Sequence, residues 1–251
     1  MNDFGVSLLS GGLDSTIVTS YAAREIEYLN AITFNYGQTH VKEIDCAKNI
    51  ASILKINHKI IDISFVRNLS WYSSLTNPDD FKTPTKRPEK EIGENIPITY
   101  VPLRNTIFIS LAAAALESDV LNAIENKNLD PSTISAKLFM ASNAIDYSGY
   151  PDCRPEFFES AINTINLGSK LSTEYDVHIE IVTPIIDKTK AEIIQLGTKL
   201  NSPIELTWSC YDGGQKPCHQ CDSCILRAQG FAELGIKDPS LRDSKHDVKQ
   251  N

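Results

Sequence analysis

The feature that most constrains the fold is the stretch SLLSGGLDST at 7–16, where a short apolar run, FGVSLL, meets two glycines and then a segment of helical period. Behind the glycines, Ile17, Val18, Tyr21, Ala22 and Leu29 recur on one helical face, which predicts a helix over 14–29. Strand, tight turn and helix in that order aim the free N–H groups of the first helical turn, and the positive end of its dipole, at whatever lies above the turn. Such a place binds anions, phosphates especially. Gly11 and Gly12 allow a ligand close to the backbone, and Ser10 and Ser15 add hydroxyl donors. The stretch lacks both the Gly-Lys-Ser/Thr ending of a P-loop and a GxGxxG, so neither a kinase-like γ-phosphate site nor a dinucleotide site is indicated. The alternative is a purely structural turn in which Asp14 caps the helix.

Further along, 31–37 reads as a strand, 41–54 as a helix burying Ile44, Ala47, Ile50, Ala51 and Leu54, and 58–65 as another strand. Strands alternating with amphipathic helices predict an α/β fold: a Rossmann-like parallel sheet with helices on both faces, its ligand beyond the carboxyl ends of the strands. Residues 68–97, rich in Asn, Pro, Lys and Glu, read as a long loop or lid, or as a solvated excursion. The apolar 101–118 segment predicts a largely buried helix with Arg104 and Asn105 at its mouth, where an Arg can clamp a phosphate or carboxylate. Residues 119–135 read as an inserted excursion, 136–143 as a strand, and 144–170 as a loop dense in Tyr, Gly, Pro, Asp, Cys and Arg ahead of a helix. A last strand is expected over 178–185, followed by a helix opened by a Thr189–Glu192 capping box.

With 24 Lys+Arg against 32 Asp+Glu the formal net charge is −8, which disfavours direct nucleic-acid binding and favours a local anion site. The opening MNDFG has no basic n-region, and the longest apolar run, IFISLAAAAL, is too short to span a bilayer. A cytoplasmic protein without membrane contact is expected. In that reducing compartment clustered cysteines point to metal before disulfides. WSCYDGGQKPCHQCDSCILR at 208–227 spaces Cys210, Cys218, Cys221 and Cys224 so that four thiolates can wrap one tetrahedral zinc, with Gly213 and Gly214 letting the first cysteine fold back. An iron–sulfur cluster and a redox CxxC pair are the rivals. Cys46 and Cys153 stand apart, and His219 reads as a bystander. The chain is expected to divide into an α/β domain over 1–200 that carries the anion site, a zinc-binding C-terminal segment over 201–239 packed on it, and a flexible tail over 240–251.

LSGGLDST, FNYGQTHVKEID, VPLRN, DYSGYPDCRPEF and SCYDGGQKPCHQCDSCILRAQGF together resemble the QueC family, the 7-cyano-7-deazaguanine synthases, within the adenine-nucleotide α-hydrolase-like superfamily of PP-loop ATP pyrophosphatases. The resemblance runs from about residue 5 to 239. Family members usually read VPGRN where this chain has Leu103, and CGxC where it has His219; the 119–135 stretch is longer than usual and is expected to bulge from the fold.

The resemblance implies a ligase that converts 7-carboxy-7-deazaguanine, ammonia and ATP into 7-cyano-7-deazaguanine, a precursor of queuosine or archaeosine. It implies ATP held along Leu9, Ser10, Gly11, Gly12, Leu13, Asp14, Ser15, Thr16, Ile17, Val18 and Thr19, with magnesium at the phosphates. Asp14, Ser15 and Arg104 are the catalytic candidates. Tyr36, Gln38, Arg104, Asn105, Tyr147, Tyr150, Asp152 and Arg154 are the substrate-binding candidates, and a homodimer is implied. Other readings are another PP-loop enzyme, such as a tRNA thiolase or a QueC-like modifier of a protein carboxyl group, and a zinc-stabilised ATP-binding module without catalysis.

Overall fold

The computed structural model describes residues 1–39, 42–88, 92, 95–143, 149–212 and 214–241; Tyr147, Gly213 and 242–251 lie outside them. Among the described residues five parallel strands, β1 (Asn2–Leu8), β2 (Tyr28–Asn35), β3 (Asn57–Asp62), β4 (Ile134–Phe139) and β5 (Ile179–Val182), form one sheet in the order β3-β2-β1-β4-β5. The strand order reverses beside β1, so the crevice past its carboxyl end is where an open α/β sheet takes its ligand. The glycine turn stands there.

Side chains alternate across this sheet and give each face its own core. Phe4, Val6, Ala136 and Leu138 pack with helices α4 (Arg104–Lys127), α5 (Pro155–Gly168) and α6 (Lys170–Tyr175). On the other face Phe139 joins Ile17 and Val18 of α1 (Leu13–Glu25), Ile193 and Ile194 of α7 (Lys190–Lys199), and Phe231 of α8 (Asp222–Glu233). Helix α2 (Lys42–Leu54) covers Leu9 and Ala31 with Ala47, Ile50 and Ala51, and a short α3 (Val66–Leu69) follows β3. The Thr189–Glu192 capping box at α7 is present in both directions.

Three sequence expectations change. Helix α1 stops at Glu25, and Leu29 belongs to β2, whose parallel pairing with β1 begins at Phe4↔Tyr28. Ladder hydrogen bonding there overrides a helical period that ran on by chance. The 119–135 excursion does not bulge: α4 continues to Lys127 and buries Val120, Ala123 and Ile124 before Pro131–Thr133 turns the chain into β4. Length therefore does not disqualify α4 as a bilayer span, because it runs for 24 residues and contains an 18-residue window of mean hydropathy 1.6. It lies instead against β1 and β4, with Ile109, Ala112, Ala113 and Leu116 in the core.

Leu103 and His219 both sit in left-handed backbone, each at φ 56°. A branched side chain there costs about 1–2 kcal/mol, and glycine's extra unfolded entropy returns roughly half of the gain from replacing it. Leu103 is 62% exposed and loses little packing on truncation. Leu103→Gly is therefore expected to raise stability by about 0.5–1 kcal/mol, a Tm increase of about 2 °C readable by differential scanning fluorimetry.

Candidate active site and metal centre

The turn after β1 is built around Gly11. Its φ is +92°, and a Cβ there would lie 2.1 Å from the Glu43 carbonyl oxygen, so α2 approaches too closely for any side chain. Gly12 has ordinary extended backbone and is the N-cap of α1. Its carbonyl accepts from Ser15 Oγ (3.2 Å) and Thr16 Oγ1 (2.7 Å), while its N–H donates to Ser10 Oγ at 3.2 Å. Ser10 and Ser15 hydroxyls meet at 2.9 Å. Asp14 does not cap the helix; both its carboxylate oxygens accept from Lys190 Nζ, at 3.0 and 2.8 Å.

Leu9, Ser10, Gly12, Leu13, Asp14 and Ser15 line a cleft of about 320 Å³, together with Tyr36, Gln38, Arg104, Asn105 and Tyr150. That size is within the range of small-molecule sites. Thr16, Ile17, Val18 and Thr19 do not line it: Ile17 and Val18 are core, and Thr19 pairs with Ser7 at 2.8 Å. An α-helix turns its later residues away from its own N-terminus, so a contiguous sequence window overstates the contact surface.

In the same cleft, Arg104 sits 5.7 Å over the Tyr150 ring and bonds the Tyr36 side chain. Burial works against its charge, yet Tyr36, Tyr150, Asp152 and Cys153 around it raise its pKa overall, so it is a fixed cation. Burial pushes the Tyr150 phenol up to about 12, and its hydroxyl donates to Thr99 Oγ1 at 2.9 Å.

Several candidates bond to backbone groups. Asp152 accepts from the Asn105 N–H at 3.2 Å, and Asn105 Nδ2 donates to the Asp152 carbonyl at 2.9 Å. The carboxylate thus caps α4, whose own N-cap, Leu103, has no side-chain acceptor. Burial raises the Asp152 pKa. Gln38 spends its amide on the backbone of Tyr36 and Phe34, and Arg154 is exposed at the start of α5.

The cleft is also lined by Lys190, Glu43, Ser209, Tyr211, Asp222 and Arg227, none of them among the site candidates, although all but Lys190 lie within the FNYGQTHVKEID and SCYDGGQKPCHQCDSCILRAQGF stretches. The capping box that starts α7 was a signal for Lys190, since it places residue 190 in the first turn of a helix packed on α1. Arg227 is 7% exposed, donates to both carboxylate oxygens of Asp238 (2.6 and 3.0 Å), and reaches Thr207 and Ser209 hydroxyls. Although burial pushes the other way, Arg227 holds the Asp238 carboxyl below the ordinary range.

The sulfurs of Cys210, Cys218, Cys221 and Cys224 lie within 4.8 Å of one another. Tetrahedral bonds of about 2.3 Å need sulfurs about 3.8 Å apart, so a four-coordinate ion fits with small adjustment. Cys221 is the N-cap of α8, which puts Cys224 one turn on, and the left-handed His219 folds Cys218 back beside it. Backbone N–H groups point at sulfur, from Cys218 to Cys210 (3.2 Å) and from Cys221 to Cys218 (3.3 Å). Cys46 packs against this cluster but is not in the four-sulfur set, and Cys153 lines the cleft.

Two connections join the cluster to the cleft. Trp208 N–H donates to the Gly11 carbonyl at 3.0 Å, fastening the segment that carries Cys210 to the glycine turn. On the other side the 83–87 strap runs beside the cysteine hairpin: Thr85 bridges Cys221, Lys86 N–H donates to the Gln220 carbonyl at 2.8 Å, and Arg87 forms a two-pronged ion pair with Asp222.

With that geometry in hand, the family described as "Queuosine biosynthesis protein QueC" matches residues 5–235. The chain is 44% identical over 241 residues to the 7-cyano-7-deazaguanine synthase of Thermoplasma volcanium, covering 96% of this chain and 91% of that one. It is 44% identical over 237 residues to the one of Trichodesmium erythraeum, covering 94% and 99% respectively. Against that of Syntrophus aciditrophicus it is 43% identical over 241 residues, covering 95% and 97%.

Proposed function

This chain belongs to the QueC family, and from that premise we propose that it is an ATP-dependent carbon–nitrogen ligase that makes 7-cyano-7-deazaguanine from 7-carboxy-7-deazaguanine and ammonia. The observation that carries the reading is one cleft lined both by the glycine turn at the start of α1 and by a fixed cation among tyrosines. A carboxylate is a poor electrophile, so the acid must be activated before nitrogen can enter.

In the reaction proposed, the substrate carboxylate oxygen attacks the α-phosphorus of ATP and pyrophosphate leaves. Ammonia then displaces AMP to give the amide. The amide oxygen is adenylated by a second ATP, and loss of AMP and protons leaves the nitrile. The N–H groups at the start of α1 and the Ser10 and Ser15 hydroxyls suit the leaving pyrophosphate, and Lys190 supplies a cation beside it. Magnesium would offset charge at the same end, with Asp14 the carboxylate placed to hold it. Arg104 and Tyr150 suit the flat, carboxylate-bearing ring.

Zinc is the metal that a buried, closed four-thiolate site favours, and its role would be structural, since no coordination position is left open. A cytoplasmic location suits its reduced thiols. A homodimer is expected, and the exposed Phe65, Leu69, Trp71 and Tyr72 offer it an apolar surface; light scattering on the purified protein tests it.

Incubation with 7-carboxy-7-deazaguanine, ammonium and Mg-ATP, followed by mass analysis, is expected to give the nitrile, with the amide as a competent intermediate. Oxygen-18 in the substrate carboxylate is expected in AMP; label in inorganic phosphate would move the attack to the γ-phosphate. Lys190→Ala is expected to lower kcat/KM for ATP by about a hundredfold. Its ion pair with Asp14 is partly solvated, and its loss should change stability by no more than about 1 kcal/mol.

A further inference from the structure

Arg227, in the second turn of α8, brings a cation to the wall of the cleft, yet none of its hydrogens is available there. Its Nε and one terminal nitrogen hold the Asp238 carboxylate at 2.6 and 3.0 Å, and that same terminal nitrogen reaches Ser240 Oγ at 3.0 Å. The other terminal nitrogen donates to Thr207 Oγ1 at 2.8 Å and to Ser209 Oγ at 3.0 Å. A guanidinium has five N–H donors and no acceptor, so these contacts use every one of them. Arg227 thus has no hydrogen left for a ligand. What it does instead is orient hydroxyls.

A hydroxyl that accepts from a guanidinium must send its own hydrogen elsewhere. Thr207 sends it to the Ile204 carbonyl, at 2.7 Å. The Ser209 hydroxyl has no such acceptor among the described residues, and its side chain lines the cleft. The glycine turn sets where that hydroxyl stands. The Trp208 N–H donates to the Gly11 carbonyl at 3.0 Å, and the Trp208 carbonyl lies 3.5 Å from where a Cβ on Gly12 would be. Ser209 is the next residue, which brings it beside the start of α1, where Ser10 and Ser15 line the same cleft.

We propose that Ser209 is a binding residue for the phosphate chain of ATP, donating its hydroxyl hydrogen to a phosphate oxygen, and that Arg227 is the positioning residue that aims this donor. The inference deepens the ligase reading above and rests on it. An anion is the ligand that suits the donor, because the neighbouring free N–H groups at the start of α1 carry the positive end of the helix dipole. A freely rotating hydroxyl divides its time among acceptors; one whose lone pair is held by a cation is both aimed and polarised. Ser209 makes no bond and transfers no proton, so its effect falls on binding. Asp238 and Ser240 hold Arg227 in turn, and the segment beyond α8 thereby takes part in setting the site.

Isothermal titration calorimetry on the metal-loaded protein reads the proposal directly. In Ser209→Ala the Kd for Mg-ATP is expected to rise about tenfold, the size of one hydrogen bond to a charged group, while the Kd for 7-carboxy-7-deazaguanine, the metal content and the Tm stay near wild type. Ser209→Thr keeps the hydroxyl and is expected to recover most of the affinity. Arg227→Lys keeps the charge with fewer donors; it is expected to weaken Mg-ATP binding on its own and to add little to Ser209→Ala, because its effect runs through that hydroxyl. Should Arg227→Lys fail to fold, Asp238→Asn, which releases one prong of the guanidinium, reads the same coupling. An unchanged Mg-ATP Kd in Ser209→Ala would overturn the binding role, and so would a rise confined to 7-carboxy-7-deazaguanine. Additive losses in the double variant would overturn the positioning role of Arg227. Absence of Mg-ATP binding by the wild-type protein would instead sink the ligase reading on which the proposal stands.

Discussion

Gly12→Val is expected to abolish ATP-dependent turnover in a protein that still folds, whereas Gly11→Ala is expected to fail as a fold. The two glycines are neighbours with different jobs. Gly12 has extended backbone that a β-branched residue adopts, and a Cβ there meets nothing closer than Ser10 Oγ at 3.3 Å. The added side chain faces the cleft and blocks what approaches the first N–H groups of α1. A displacement of about 1 Å at reacting groups costs about a hundredfold in rate, so activity in Gly12→Val should fall by at least that. Its Tm should stay near the wild type. Gly11→Ala forces a Cβ into the α2 backbone and a left-handed conformation on alanine, so the turn or the α2 contact must give way. Full turnover in folded Gly12→Val would remove the glycine turn from the mechanism. Circular dichroism with the nitrile assay reads both variants.

Cys221→Ser is expected to lose the bound metal, to melt lower by about 10 °C, and to open the cleft wall at the same time. Metal-site free energy is folding free energy where the ligands are not otherwise held, and a loss of about 3 kcal/mol or more corresponds to that shift in a chain of this size. The coupling to the cleft follows from geometry. Cys221 bridges Thr85, Asp222 grips Arg87, and the segment carrying Cys210 is fastened to the Gly11 carbonyl through Trp208. Limited proteolysis of Cys221→Ser should therefore cut early around 78–88. Arg87→Ala should release the strap while keeping one metal per chain by metal analysis, and Cys46→Ser should keep both metal and Tm. Metal-free protein with an unchanged Tm and an uncut strap would show that the site carries neither load.

What the sequence determined by itself was whatever depends on short spacing. The order of strand, glycine turn and helix around SGGLDS, the CxxC pairs that put Cys218, Cys221 and Cys224 on one hairpin and helix turn, and the Thr189–Glu192 cap are fixed by bonds that span a few residues. The alternation of strand-like and helix-like periods was enough for a doubly wound parallel sheet. Tertiary structure alone decided what depends on partners far along the chain. Leu29 joined β2 because β1 was there to pair with it, and 119–127 stayed helical because its apolar face met the sheet. Asp152 became the cap of a helix 47 residues before it, and Lys190 arrived at Asp14 from 176 residues away. Glu43 entered the cleft because α2 packs on the glycine turn closely enough to demand Gly11. A linear pattern records which residues are able to form an element; which of them face the same empty space is set by how the elements pack, and no local period encodes that.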